Sequence, residues 1–269
     1  MQRHAGPLVK DFMGKGVVTV MQDTSVEKAI KAMDEHNIGS VVVLDTLGPC
    51  GVFTERDLLT RILARGKDPS STTIAEVISP KFPSIGASET LEQAAAAMID
   101  RKSRLMVFEG AELVGIVTPT DVIRVLRGAG DDFSILKVIS TRVVAVLPET
   151  PMDVVVKIMD EMRIGSVITA EDGQWIGIFT ERDLVKRVLA PRRRLDTLVK
   201  EVATRPLVTA SPGILGREAA GIMALHGFKR LPLKLESEGI GIVTARDVVE
   251  AYGNAKRPLA PRVNWVQWN

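Results

Sequence analysis

The chain has 269 residues, 45% of them hydrophobic and 25% charged, with 35 basic and 33 acidic residues for a net charge of +2. That length suits two ordinary domains with a packed core, and the near balance of charge argues against a dedicated nucleic-acid binder, which usually carries a clustered basic surplus. Cys50 stands alone, which excludes an internal disulfide and a thiol metal cluster, and no apolar run approaches the roughly 18–20 residues that cross a bilayer.

Met1 to Lys10 lacks the apolar core of a signal peptide, so a reducing cytoplasm is the expected compartment. A short β-branched strand is expected at Val17–Val20. An amphipathic helix should follow, with Val26, Ala29, Ile30 and Met33 spaced i, i+3, i+4, i+7. Two strands come next, Ser40 to Leu44 and Gly51 to Thr54, joined by a turn expected at Gly48-Pro49. A second helix then runs through Leu58, Leu59 and Ile62.

This β-α-β-β-α order recurs. GVFTERDLLTRIL from Gly51 is answered by GIVTPTDVIRVL from Gly115, GIFTERDLVKRVL from Gly177 and GIVTARDVVEAY from Gly241. Copies one and three are the most alike, as are their NIGSVVV (from Asn37) and RIGSVIT (from Arg163), which indicates a doubled pair. The second copy repeats the helical stripe as Leu91, Ala94, Ala95 and Met98, and Met33, Met98, Met159 and Met223 read as core. The units span 8–66, 72–129, 134–190 and 196–254, grouped as 1–130 and 131–255, with a tail at 256–269. A unit of about 60 residues can hardly bury both helical faces alone, so pairing is expected.

Each last strand delivers the chain to a helix through Thr-x-x-Asp: Thr54/Asp57, Thr118/Asp121, Thr180/Asp183 and Thr244/Asp247. Such a motif is close to a capping box, which satisfies the unpaired N–H groups of a helix's first turn. Aspartate in place of the longer Glu or Gln, and the position at a strand end, point instead to a nucleotide crevice, where a carboxylate accepts from a ribose diol. The hydroxyl can serve both purposes.

The repeated Gly-h-h-Thr-x-x-Asp in a β-α-β-β-α unit resembles the cystathionine-β-synthase (CBS) domain, over roughly residues 8–253. Two such domains in tandem resemble a Bateman module. Two modules resemble the γ subunit of AMP-activated protein kinase and stand-alone microbial relatives. The resemblance implies an α/β (α+β) fold of four CBS repeats in two modules that form a disc. It also implies a regulatory protein, not an enzyme, binding AMP, ADP or ATP as ligand, with no catalytic cofactor. The motif Thr and Asp would hold ribose and phosphate. Adenine would lie against the first strands, near Thr19, Ser84, Ala145 and Thr209.

Basic residues entering the middle strand hold phosphates in that family. Fourteen residues before each motif Thr stand Ser40, Arg104, Ser166 and Arg230, so only the even copies carry Arg there, with Lys229 beside Arg230. In the odd copies the Arg falls within the motif, as Arg56 and Arg182, and is a weaker phosphate candidate. Arg offers a planar fork that matches phosphate oxygens. The family's His-Arg pair becomes Ser103-Arg104 and Lys229-Arg230, which leaves AMP, ADP and ATP all open.

His4, His36 and His226 are scattered and suggest no metal site, and no GxxxxGK[ST], HExxH or GxSxG motif is present. Arg192-Arg193-Arg194 reads as a solvated linker. The tail holds Trp265 and Trp268 and is expected to dock on its own modules. An unknown regulated protein is the expected partner, and a homodimer is expected to be accessible. Three alternatives stay open: an S-adenosylmethionine or other adenosyl-ligand binder, a non-binding interaction scaffold whose motifs only cap helices, and an enzyme acting on nucleotides.

Overall fold

A computed structural model describes residues 6–78, 82–101, 104–128, 132–236 and 239–256. Ser103 and the tail with Trp265 and Trp268, including its expected docking, lie outside the described residues.

In repeat 1 the first helix (Val26–Glu35) begins where the Ser25 hydroxyl accepts from the Lys28 N–H at 3.4 Å. Its stripe Val26, Ala29, Ile30 and Met33 is buried, as are the equivalents Leu91, Ala94, Ala95 and Met98 in repeat 2. The strands form a three-stranded sheet, Thr19–Met21 parallel to Ser40–Asp45, itself antiparallel to Gly48–Thr54. Repeats 2 and 3 repeat this order. In repeat 4 the first strand shrinks to a single parallel bridge, Ala210 to Leu233, beside the pair Arg230–Lys234 and Ile240–Thr244.

Two local expectations need correction. The turn of repeat 1 lies at Thr46-Leu47, and Gly48-Pro49 already belongs to the last strand. Asp45 makes that turn: its Oδ1 accepts from the N–H of Leu47 at 2.7 Å and of Gly48 at 3.1 Å. Gly48 takes φ +126°, open to glycine alone, and the register shifts so that Pro49, which has no N–H to give, sits beside a bulge. The first strand also begins at Thr19, not Val17, because the lead-in crosses to the neighbouring repeat, where Gly14 bridges Ile116. Ser140 likewise bridges Ile242, and Thr204 bridges Ile178.

These crossed lead-ins tie repeats 1 and 2, and repeats 3 and 4, into two modules. Within the first, Val42 and Val52 meet Met106 between the sheets. Helices join the modules to each other: the cores of repeats 2 and 4 form one cluster, from Met98, Ile123 and Leu126 to Met223, Val249 and Tyr252. Repeats 1 and 3 share cores through Leu59 and Val185. Repeat 1 therefore faces repeat 3, repeat 2 faces repeat 4, and the motif helices lie along these seams.

Candidate functional site

All four motifs are capping boxes. The Asp Oδ2 accepts from the Thr backbone N–H at 3.0, 2.9, 2.9 and 2.7 Å and from the Thr hydroxyl at 2.7, 2.6, 2.7 and 2.7 Å, in chain order. Aspartate in place of Glu or Gln therefore does not point away from capping. The extended backbone at the cap residue brings the short carboxylate within reach, and the hydroxyl contributes a second bond.

The other oxygen, Oδ1, distinguishes the copies. It meets Arg61 at 3.3 Å from Asp57, Arg124 at 3.2 Å from Asp121, and Arg187 at 3.4 Å from Asp183. Asp183 Oδ1 also accepts from the Thr204 hydroxyl at 3.3 Å. Asp247 Oδ1 has no such partner among the described residues. Asp247 lines a cleft of about 220 Å³ between repeats 2 and 4, together with Arg246, Pro119, Met98, Ile99 and Glu250.

Across the other seam the two TERD segments interlock. Arg56 Nη1 reaches Glu181 Oε1 at 3.0 Å and the Ile164 carbonyl at 2.7 Å. Arg182 reciprocates toward Glu55 Oε1 at 3.6 Å and donates to the Asn37 carbonyl at 3.2 Å. The middle-strand cations enter the same place: Lys229 meets Glu55 Oε2 at 2.8 Å, and Arg230 meets Glu181 Oε2 at 2.8 Å. Arg104 donates to the Gly39 carbonyl at 3.2 Å and has no carboxylate within ion-pair distance among the described residues.

The cations Arg56, Arg104, Arg182, Lys229 and Arg230 thus surround two buried glutamates, a surplus of three positive charges. Burial acts to raise the Glu55 pKa, but Lys229, Arg182 and Arg104 outweigh it and hold the carboxyl below its ordinary value. Burial pushes Lys229 down, against Glu55 and with Arg182 and Arg104. Arg104 is lowered for the same first reason, Glu55, Asp57 and Glu181 opposing it.

Glycine makes room for this convergence. A Cβ on Gly39 would stand 2.6 Å from Lys229 Nζ and 2.9 Å from the Glu55 carboxyl. At the equivalent Gly165 it would overlap the Arg230 guanidinium and approach Glu181 Oε2 at 2.8 Å. Glu55, Glu181, Gly39 and Gly165 were missed from sequence. Their signal was the identity of TERD and of Ile-Gly-Ser in the odd copies. Arg56 and Arg182 are carboxylate partners across the seam in this structure. Thr19, Ser84, Ala145 and Thr209 are exposed; the first three begin first strands, and Thr209 precedes the Ala210 bridge.

Among the described residues no group of His, Cys, Asp and Glu is arranged to hold a metal ion, and no helix is long and apolar enough to cross a membrane.

The β-α-β-β-α units, their pairing and the capped strand-to-helix junction define a CBS-type regulatory module. Residues 9–64, 74–128, 135–190 and 199–254 each match the CBS domain model, and the chain belongs to that family, with four CBS repeats in two Bateman modules. CBS-domain proteins are regulatory ligand-binding modules, as a rule without catalytic activity. Among relatives, the uncharacterized protein MJ1404 of Methanocaldococcus jannaschii is 25% identical over 93% of this chain and 62% of its own length. MK0525 of Methanopyrus kandleri is 34% identical over 38% of this chain and 54% of its own. The chain therefore spans about three fifths or less of the length of these two relatives. The solved structure of MJ1225 from Methanocaldococcus jannaschii, described as a proposed archaeal homolog of γ-AMPK, superposes with TM-score 0.77 at 20% identity. That superposition covers 91% of this chain and all of that one, and it establishes likeness of fold.

Proposed function

We propose that the chain is a sensor of adenine nucleotides, AMP, ADP or ATP, that relays ligand state to a partner protein. The observation that carries this reading is the convergence of Arg104, Lys229 and Arg230 on one place beside the capped motifs, a charge-assisted seat for phosphate oxygens. The motif Asp residues 57, 121, 183 and 247 would accept from the ribose through Oδ1, with Thr54, Thr118, Thr180 and Thr244 beside them. The Oδ1 of Asp247, without a cation or hydroxyl partner among the described residues, makes repeat 4 the first choice. The first strand stands two strand spacings, about 10 Å, from the last strand of its sheet. A nucleoside laid across that gap would set its base against Thr19, Ser84, Ala145 or Thr209. A ligand touching repeats of both modules shifts their arrangement only if it prefers one arrangement, which makes binding a signal.

The test is a thermal-shift and calorimetric panel of AMP, ADP, ATP, GTP and S-adenosylmethionine on wild type and Asp247→Asn. Ligand at 100 times its dissociation constant adds about 2.7 kcal/mol. Stabilisation by adenine nucleotides alone, weakened in Asp247→Asn, supports the reading. Stabilisation by S-adenosylmethionine alone moves it to an adenosyl ligand without phosphates. No response to any compound leaves an interaction scaffold.

A further inference from the structure

Glu55 and Glu181 are the least expected residues of the cation cluster. Both side chains are buried, 8% and 10% exposed, and each takes two cations. One is a middle-strand cation (Lys229 or Arg230), and the other is a motif arginine from the opposite module (Arg182 or Arg56). Gly39 and Gly165, with no Cβ, leave Lys229 and Arg230 their path to these carboxylates. Repeats 2 and 4 lack any such acid, since Pro119 and Ala245 occupy the equivalent positions, and there the seam opens into the cleft.

We infer that Glu55 and Glu181 are built-in counter-anions: they occupy the phosphate seats of Lys229 and Arg230, and an entering anion must displace them. This rests on the phosphate role proposed for those cations and adds its regulation. Displacement has a mechanical consequence. The same carboxylates hold Arg182 and Arg56 across the seam, so an anion that takes Lys229 and Arg230 leaves each glutamate free to turn toward its motif arginine. The exchange alters the link between repeats 1 and 3 while the apolar seam between repeats 2 and 4 stays intact. Arg104, which among the described residues donates to the Gly39 carbonyl and has no carboxylate within ion-pair distance, is the cation that meets an anion before displacement begins. The glutamates thereby set a threshold on anion affinity and couple its crossing to the module interface.

The experiment is calorimetric titration of inorganic tripolyphosphate and, separately, ATP into wild type and Glu55→Gln/Glu181→Gln at fixed ionic strength. Glutamine keeps the shape and one acceptor but releases the charge. Tripolyphosphate affinity is expected to rise by about tenfold or more, a change of about 1.4 kcal/mol, and the gain should vanish when Lys229→Met and Arg230→Met are added. If the double variant does not fold, each single Gln variant is titrated, with a gain of about threefold expected of each. Unchanged, weaker or absent tripolyphosphate binding in the Gln variants overturns the inference. ATP separates this from the sensor reading. Tripolyphosphate gain without ATP binding upholds the counter-anions and removes the nucleotide. ATP binding equal in wild type and variant, with no tripolyphosphate gain, removes the counter-anions and keeps the sensor.

Discussion

Glu181→Ala should be among the most damaging single substitutions outside the apolar cores. The side chain is 10% exposed, and its two oxygens hold Arg56 at 3.0 Å and Arg230 at 2.8 Å. Truncation strands two guanidinium groups of unequal accessibility. Arg56, 38% exposed, keeps the Ile164 carbonyl and rehydrates in part. Arg230, 16% exposed, is left beside Gly165 with its charge uncompensated. Removing one partner of a buried pair costs about 3–5 kcal/mol, and the access of Arg56 places this case near the lower end, about 3 kcal/mol. In a chain of this size each kcal/mol moves the melting midpoint by about 2–4 °C, so the midpoint should fall by about 6–12 °C. Circular dichroism melts and urea titrations of Glu181→Ala, with the exposed Glu171→Ala as control, provide the measurement. A loss below about 1 kcal/mol, within the range of exposed ion pairs, would refute the reasoning and return the cluster to a solvated surface network.

Glu55 predicts a pH dependence. Its folded-state pKa lies below the ordinary 4.5, so its stabilising contribution is complete above about pH 4.5 and is lost as pH falls through the folded value. The stability difference between wild type and Glu55→Gln should therefore be constant near neutrality and shrink in acid; a difference that grows below pH 4.5 contradicts the assignment. Gly39→Ala should destabilise by about 1 kcal/mol, the low end for overpacking, because its Cβ meets only the ends of the Lys229 and Glu55 side chains, which must shift. If that variant melts like wild type, the close approach is not a constraint. Thr54→Val removes a hydroxyl that accepts from the Asp57 N–H at 3.1 Å and donates to Asp57 Oδ2 at 2.7 Å, and should cost about 1 kcal/mol; no loss in equilibrium unfolding would show the box to be dispensable.

The fold was legible because two periodicities coincide. The i, i+3, i+4, i+7 stripe and the repeat of Gly-h-h-Thr-x-x-Asp each point to the same unit, and Val26, Ala29, Ile30 and Met33 are buried as that stripe requires. The turn after Ser40–Asp45 was missed because Gly-Pro carries a strong turn signal, whereas Asp45 makes its turn with a side-chain oxygen. A bulge at the same register in three repeats then absorbs the extra residue. The site was legible in part. Arg104, Lys229 and Arg230 stand out by position, but Glu55 and its partner Lys229 stand 174 residues apart, and only the meeting of the two modules unites them.

The difference between odd and even repeats follows from two residues per motif. Where the residue after Thr is Glu and the next is Arg, two copies facing each other across a pseudo-twofold seam exchange Glu for Arg twice, and the seam locks. Where it is Pro119 or Ala245, the exchange cannot form, Arg246 stays exposed, and the helix starts stand apart around the cleft. Repeats 1 and 3 add those ion pairs to a shared apolar core through Leu59 and Val185, whereas repeats 2 and 4 are joined through Met98, Leu126, Met223 and Tyr252. Apolar contact is indifferent to an arriving anion; ion pairs are not. On the counter-anion reading, an anionic ligand would exchange the ion pairs between repeats 1 and 3, while the apolar contacts of that seam through Leu59 and Val185, like those between repeats 2 and 4, would persist.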